Sequence, residues 1–503
     1  MPSSDSVSHC SVPSLDGEGA PFLPAVNEEC PELLGSDRPF PKYSNHGLII
    51  KLFAIYLAIG MGGPMIQSPL TRIVESIACQ NYWNAHDRSQ VPTPGQISEA
   101  MCKIPEVQKE VTSIIGYREF FNALLTSTFA LPYGLLADRC GRKLAIRLAS
   151  VGFLFNSAFS LAPLCLPSIF PLRMIWFGAI GWVLGGGPVL LFALLWSMIA
   201  DATADSEQDT VILRFGTATL SAGFLAQVAS SFLMQLGSRV PLMIGCGLLL
   251  AGLLVANLLP ETLRKKSRET TISADTSISP AYLVLKIKKT ISSYRFICDN
   301  YPVAIIMPAF FITQLSGGSA FLVQYISIRF HRTIADATLL VALQQAFTIA
   351  VLFFIIPQIA KGLLEITSRL QSDLHLARIS VSLLALGLFG IGLSSSINTL
   401  IPSLILHAAG AGFALIARGL VTGLARKEET ARLYTLIEVT LSIGEVAASL
   451  YITNSLNWGL ERGGLWTGLP WLIVAFLLAV IALVLGMLRL PPRSEDFPSG
   501  STH

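Results

Sequence analysis

Charged residues are scarce in this sequence. Of its 503 residues, 13% are Asp, Glu, Lys or Arg and 52% are hydrophobic, and the mean hydropathy is +0.60. A soluble enzyme of several domains does not have so apolar a composition. The net charge of +3 comes without a basic block interleaved with aromatics, so nucleic acid is not an expected partner. The chain is predicted to be an integral membrane protein embedded in a lipid bilayer.

Motifs for covalent chemistry are also missing. The sequence has no nucleophile motif and no phosphate-binding loop, and none of its eight cysteines has the spacing of a zinc site. We therefore predict that the chain is not an enzyme and that it binds no metal or other cofactor. The missing phosphate-binding loop also argues against a pump driven by nucleotide hydrolysis.

Twelve apolar runs are present, each near the ~20 residues that cross a bilayer core. The predicted fold class is an all-α membrane protein with twelve transmembrane helices in two six-helix bundles. Residues 1–46 lack the features of a cleaved signal and are interpreted as a disordered cytoplasmic tail. The remaining segments are bundles at 47–260 and 300–490, a basic Ser/Thr-rich cytoplasmic linker at 261–299 and a cytoplasmic tail at 491–503.

The order of the runs predicts the topology. An even number of spans places both termini on one side of the membrane, and most of the 35 Lys and Arg residues fall on segments of that side. This predicts cytoplasmic termini. We expect a monomer in the plasma membrane, with a vacuolar or other internal membrane as the alternative. The runs lie at about 47–68, 115–136, 146–166, 172–200, 212–236, 240–259, 301–326, 335–357, 379–397, 400–421, 432–456 and 466–489.

A short charged turn lies between the second and third runs. It reads Gly-Leu-Leu-Ala-Asp-Arg-Cys-Gly-Arg-Lys from Gly134 to Lys143. Gly141 permits a sharp reversal because it tolerates positive φ, and the basic residues Arg139, Arg142 and Lys143 favour the cytoplasmic side. An ordinary loop obeying the positive-inside rule is the alternative, although charge topology alone does not require Asp138 between glycines.

The turn resembles the signature between the second and third spans of the major facilitator superfamily of secondary transporters. Smaller features are similar to a fungal branch of that superfamily, distantly related to proton-coupled folate and solute carriers. They are the cysteine-bearing first external loop, Pro132–Gly134, Asp373–Arg378, Leu433–Thr435 and Gly463–Pro470.

The resemblance implies secondary transport of a small organic molecule, coupled to protons by alternating access of the two bundles. Fungal relatives often export secondary metabolites or toxins, so efflux is the leading expectation. One departure argues against antiport: span five reads Gly223-Phe-Leu-Ala-Gln227 where drug/proton antiporters carry a Gly-Pro pair. Uptake of a nutrient or solute is therefore the alternative, followed by a receptor that binds a solute without moving it.

The resemblance also implies a role for the turn as a conformational latch. In the family, the aspartate of this signature docks against the amino end of span eleven, where the helix dipole favours a negative charge. Asp138 is therefore expected to contact residues 427–434 when the cavity opens outward. The implied latch residues are Gly134, Asp138, Arg139, Gly141, Arg142 and Lys143.

Four ionisable residues lie inside apolar runs, where each costs several kcal/mol unless it is paired or faces water. His407 and Arg418 share a face of span ten, and Glu438 and Glu445 share a face of span eleven. Because these spans are antiparallel, we predict an ion pair of Arg418 with Glu438 near the cytoplasm. A deeper titratable pair of His407 with Glu445 is predicted to couple transport to protons. The alternative is that all four satisfy one another and only stabilise the fold.

Polar and irregular positions within the runs are candidates for the lining of a cavity. Gly185–Pro188 is expected to unwind or kink span four near mid-membrane, and an irregular backbone there implies a cavity. A packing kink or single interhelical hydrogen bonds are the alternatives. The candidate cavity residues are Gln227, Gln314, Gln344, Asn156, Gly186 and Pro188.

Two cysteines, Cys79 and Cys102, lie in the predicted external loop at about 72–113. Two cysteines in one polar loop of an oxidising compartment suggest a disulfide. Two unpaired thiols remain the alternative because connectivity cannot be deduced from sequence.

Overall fold

The computed structural model describes residues 46–86, 97–203, 207–261, 301–316, 318–365, 367–425 and 430–488. Across these ranges the chain is helical and contains no strand. Within these ranges, eleven helices are long and apolar enough to cross a membrane, or up to twelve if one bent pair is a single span. The predicted tails and linker lie outside the described residues, apart from His46 and Glu261.

We number the twelve spans α1 to α12 in chain order. Their bounds are α1 His46–His86, α2 Pro105–Cys140, α3 Arg142–Cys165, α4 Leu172–Ala202, α5 Gln208–Met234, α6 Arg239–Asn257, α7 Tyr301–Gln314 with Ser319–Arg329, α8 Ile334–Leu364, α9 Arg369–Leu393, α10 Ile397–Leu424, α11 Thr430–Arg462 and α12 Gly464–Met487.

The first helix is much longer than the sequence predicted. α1 runs for 41 residues to His86, well past the apolar run that ends near residue 68. The predicted polar loop at 72–113 is correspondingly wrong at both ends, since α2 already begins at Pro105. Val74 and Ile77 pack into a buried cluster with α2, so tertiary packing keeps this segment helical where its hydropathy has fallen.

Two spans are interrupted. α4 breaks where the sequence predicted an interruption, because Gly186 and Gly187 adopt φ values of 70° and 76°, which favour glycine. α7 bends by 54° between Gln314 and Ser319, a break that was not predicted from the sequence. Two consecutive glycines stand in that connection, and glycine is a poor helix former.

Each six-helix half has its own apolar core. One core is built from α1 to α6 and the other mainly from α7 to α12. A third buried cluster includes Leu70, Val111 and Ile114 from the first half and Phe321 and Ile452 from the second. The halves therefore meet through a shared apolar contact where α1 and α2 approach α7 and α11.

Candidate functional site

The charged turn after α2 is built around Gly141. Its φ of 107° and ψ of 147° join Cys140 to the first residue of α3 without a loop. A Cβ at this position would lie 2.6 Å from a carboxylate oxygen of Glu261. The backbone conformation favours glycine, and a side chain here would also displace the Glu261 carboxylate.

Glu261 caps the start of α3. The backbone N–H groups of Arg142 and Lys143 donate to its Oε1 and Oε2, at 3.1 and 3.0 Å. These donors lack a partner inside the helix, and a carboxylate also suits the positive end of the helix dipole. The Arg142 guanidinium forms an ion pair with Asp201 at the end of α4. The turn is thus held by Asp201 near the end of α4 and by Glu261 after α6. Neither contact with the turn was predicted from the sequence.

We expect Gly141→Ala to destabilise the protein. An L-residue in this backbone region costs about 1–3 kcal/mol, and the methyl group also displaces the Glu261 carboxylate. Thermal unfolding followed by fluorescence-detected size exclusion should show a lower midpoint. Gly134→Ala is the matched control, because its nearest neighbour is a Leu190 methyl at 4.0 Å. Equal midpoints for the two variants would contradict this role of Gly141.

Among the described residues, Asp138 makes no contact with the start of α11. Asp138 and Arg139 are exposed at the end of α2, and the described residues show no ion pair to the Asp138 carboxylate. Residues 427–429 of the expected contact region lie outside the described residues. The latch therefore remains a prediction for another conformation.

The opposite end of α2 carries a disulfide. Cys79 of α1 is bonded to Cys102 in a short 3₁₀ turn before α2, with the Cα atoms 5.3 Å apart. We call this end of the molecule the disulfide end, and the end with Gly141 the hairpin end. The bond ties the extension of α1 to the segment that enters α2.

Four charged side chains form a cluster beside the disulfide. Lys103 Nζ lies 2.7 Å from Glu75 and 3.0 Å from Glu99, and Arg72 lies 3.0 and 3.1 Å from the same two carboxylates. The side chains of Glu75 and Lys103 are 1% and 4% exposed. Two cations and two anions balance each other, as burial requires.

This cluster reaches across to the second half. Lys103 Nζ donates to Ser327 Oγ of α7 at 2.5 Å, and Glu99 accepts from the backbone N–H of Ile334 at 2.7 Å. Buried Gln324 donates to Thr112 Oγ1 at 2.9 Å. We call this set the seam; its residues are Arg72, Glu75, Glu99, Lys103, Thr112, Gln324, Ser327 and Ile334.

Helices α2 and α11 extend the contact between the halves. The Asn457 amide donates to Ser113 Oγ at 3.1 Å, and Lys109 pairs with Glu461 at 3.0 Å. One turn deeper, Gly116 packs against Thr453 so closely that a Cβ would clash. The hydrogen bonds described here between the halves thus gather at the disulfide end.

A cavity of about 520 Å³, lined by both polar and apolar residues, lies deeper between the halves. It is lined mainly by α1 to α6, and α8 and α11 contribute Gln345 and Glu445. Of the predicted cavity residues, Asn156 and Pro188 line it. Gly186 instead packs against Tyr133 and Leu190, which makes it a packing position rather than part of the lining.

Glu445 of α11 has no protein partner for its carboxylate among the described residues. It lines a smaller cavity of about 170 Å³ together with Glu119 of α2 and the predicted residue Gln314. Glu119 pairs with Arg118 at 2.6 Å, which leaves the Glu445 charge uncompensated. An unpaired carboxylate within a transmembrane segment is a candidate functional position.

The predicted pair of His407 with Glu445 is not formed. His407 Nδ1 lies 2.6 Å from Gln344 Nε2, and both residues line a separate cavity of about 220 Å³ with the predicted residue Gln227. The reason is packing: α11 turns Glu445 toward α2 of the other half, whereas His407 lies against Gly387 of α9. Helical periodicity gave the depth of each residue but not the direction of its neighbours.

The predicted pair of Arg418 with Glu438 is present, at 2.9 Å. Its side chains are 34% and 62% exposed, so it contributes little to stability. Nearer the hairpin end, a further cavity of about 520 Å³ separates the halves. Tyr56 and Trp196 line it from the first half and Ile356 from the second.

Comparisons with known proteins agree with this architecture. No family model matches the chain. The MFS-type transporter aprT of Aspergillus flavus is 82% identical over 100% of both chains. The MFS efflux pump atnC of Emericella nidulans is 29% identical over 95% of this chain and 94% of its own. A solved D-xylose-proton symporter shares the fold, with a TM-score of 0.59 over 88% of this chain and 98% of that one, at 13% identity.

Two six-helix halves around a cavity are an arrangement typical of secondary transporters. The chain belongs to the major facilitator superfamily of transporters, and the predicted fold class is confirmed. It is a multi-pass membrane protein that moves a small-molecule substrate, and it is not an enzyme.

Proposed function

We propose that this transporter exports a small organic molecule, a secondary metabolite or toxin, in exchange for protons. The observation that carries the proposal is the unpaired carboxylate of Glu445 in a cavity between the two halves. With the termini in the cytoplasm, the disulfide end faces outward and the hairpin end inward. This orientation agrees with the chemistry of Cys79 and Cys102, since disulfides persist in oxidising compartments.

The efflux direction is supported by the relative that is 29% identical and named an efflux pump. Uptake is the second candidate because α5 lacks the Gly-Pro pair of drug/proton antiporters. α5 is helical from Gln208 to Met234, and Gly223 lies beside the Gln345 amide instead of forming a kink.

The chemistry of the cavity favours a substrate with a hydrogen-bond donor or a positive charge. Glu119 and Glu445 face one cavity, and only one of them has a cationic partner there. A proton or a cationic group of the substrate relieves the repulsion between the two carboxylates. The two ligands can then compete for Glu445, and such competition links their opposite movements.

The conformation described above fits one stage of this cycle. The seam closes the disulfide end, while a cavity separates the halves toward the hairpin end. Substrate enters from the cytoplasm in this state. Opening of the seam and closure of the hairpin end then release it outside.

The test is to profile metabolites in the medium and cells of a fungal strain with and without the protein. If the protein exports its substrate, that solute should be enriched in the medium of the strain that has the protein and not in the medium of the strain that lacks it. A protonophore should abolish that enrichment. Enrichment that survives collapse of the proton gradient would rule out proton coupling, and enrichment inside cells would favour uptake.

The latch adds a prediction at the hairpin end. Asp138 is exposed here and is expected to contact the start of α11 only when the disulfide end opens. Asp138→Asn should therefore slow transport several-fold without changing stability. Transport rate and thermal midpoint are the measurements, and Asp336→Asn, also at an exposed helix end, is the control. A variant that transports at the parental rate would speak against a latch.

A further inference from the structure

Lys103 occupies an unusual position for a lysine. It lies in the connection between α1 and α2, directly after the 3₁₀ turn, and its side chain is only 4% exposed. The ammonium group contacts Glu75 of α1, Glu99 of the 3₁₀ turn and Ser327 of α7. One cation therefore joins three segments, and one of them belongs to the other half of the protein.

The charges of the seam are balanced only while Lys103 is in place. Without it, Glu75 and Glu99 share the single guanidinium of Arg72. An uncompensated buried carboxylate is strongly unfavourable. Water can reach these carboxylates if the halves separate at the disulfide end, so loss of Lys103 favours that separation.

The disulfide fixes the position of the backbone that carries Lys103. Cys102 immediately precedes it and is fully buried, and its bond to Cys79 holds the 3₁₀ turn against α1. Buried Gln108 strengthens this anchor by donating to the Cys102 carbonyl at 2.8 Å and to Glu75 at 2.6 Å. Removing the disulfide would release the turn that carries both Glu99 and Lys103.

We propose that Lys103 is a positioning residue whose charge, placed by the Cys79–Cys102 disulfide, holds the disulfide end closed. The proposal rests on alternating access as put forward above, but not on the substrate, the coupling ion or the orientation in the membrane. Loss of the charge shifts the resting protein to the conformation in which the seam is open and the hairpin end is closed.

The experiment measures distances at both ends of the purified protein by pulsed electron paramagnetic resonance. One spin-label pair, at Glu106→Cys and Asp336→Cys, has a label on each half at the disulfide end, where both residues are exposed. The other pair uses exposed Cys140 and Arg432→Cys at the hairpin end. The remaining thiols are replaced by alanine, while Cys79 and Cys102 keep their bond.

Lys103→Met should lengthen the distance at the disulfide end and shorten the one at the hairpin end. We expect the ratio of seam-open to seam-closed molecules to rise at least about tenfold, because breaking a buried pair is costly. Lys109→Met is the matched control, since Lys109 also bridges the halves but its pair with Glu461 is exposed. That variant should change the ratio less than about threefold.

Two further variants keep the test decisive. Lys103→Met with Glu75→Gln removes one charge of each sign and should recover part of the closed population. Cys79→Ser with Cys102→Ser should open the seam with Lys103 still present, and adding Lys103→Met should have little extra effect.

The opposite changes at the two ends separate this role from simple loosening. Distance distributions that broaden at both ends, or a Lys103→Met protein that keeps the parental distances, would overturn the proposal. A protein whose ends move oppositely but which moves no solute would keep the proposal and count against the proposed efflux. Failure of Lys103→Met to fold, together with parental distances in the Cys79→Ser and Cys102→Ser variant, would also overturn it.

Discussion

Glu445→Gln should lose accumulation of substrate against a gradient while still exchanging it. The amide keeps the shape of the protonated carboxyl group but cannot release a proton, so substrate and proton movements uncouple. With one proton exchanged per substrate, a pH difference of one unit is worth about 1.4 kcal/mol and supports about tenfold accumulation. The variant should instead bring the substrate to about equal concentrations on the two sides.

The measurement uses proteoliposomes and the solute found by metabolite profiling. Accumulation under an imposed pH gradient is compared with exchange of labelled for unlabelled solute at equal pH. Glu438→Gln is the matched control: it lies on the same helix, but its carboxylate is exposed and paired with Arg418. Tenfold accumulation by Glu445→Gln, with the parental pH dependence, would place the proton site elsewhere and make Glu445 structural.

The position of His407 changes what its replacement should do. Its contact is Gln344, in a cavity that Glu445 does not line. His407→Ala should therefore leave proton coupling largely unchanged, as measured by accumulation under an imposed pH gradient. The pH profile of the variant should keep the shape that Glu445 sets.

The sequence predicted the architecture well because its signals are local. A run of about twenty apolar residues is visible in any window, and the bend at Gly185–Pro188 follows from residue types. The turn at Gly141 could be recognised because its glycine, aspartate and basic residues are adjacent in the chain. The residues that determine each of these features lie within a few positions of one another in the chain.

The seam could not be predicted because its partners are far apart in the chain. Lys103 and Ser327 are separated by 224 positions, and nothing in either segment marks the other. The extension of α1 was missed for a related reason. Glu75 lowers the hydropathy there, and its contacts with Arg72, Lys103 and Gln108 explain why a buried helix tolerates it. Likewise, Asp201 near the end of α4 and Glu261 after α6 contact Arg142 in the turn, and neither contact is visible in the local sequence.

At the contact between α2 and α11, even a small added side chain should have a large effect. Lys109, Ser113 and Gly116 face Glu461, Asn457 and Thr453 in antiparallel order. At Gly116 the helices approach so closely that a Cβ has no room beside the Thr453 side chain. Small residues allow this approach between membrane helices.

Gly116→Val should act as a wedge between the halves at the disulfide end. Overpacking costs about 1–3 kcal/mol, which shifts the balance between seam-closed and seam-open molecules by roughly 5- to 150-fold. Since the penalty disappears when the halves separate, the seam-open state should accumulate and the transport cycle should slow by a similar factor.

The readout is disulfide cross-linking between Ser113→Cys and Asn457→Cys, which replace side chains whose polar atoms lie 3.1 Å apart. Cross-linking should be fast in the parent and much slower with Gly116→Val. Gly247→Val is the control, because it carries the same cost in helix propensity but has nothing within 4 Å of its Cβ. Gly247→Val should cross-link as fast as the parent, because β-branching alone does not separate the halves. Equally fast cross-linking in Gly116→Val would mean that this helix crossing does not control access to the cavity.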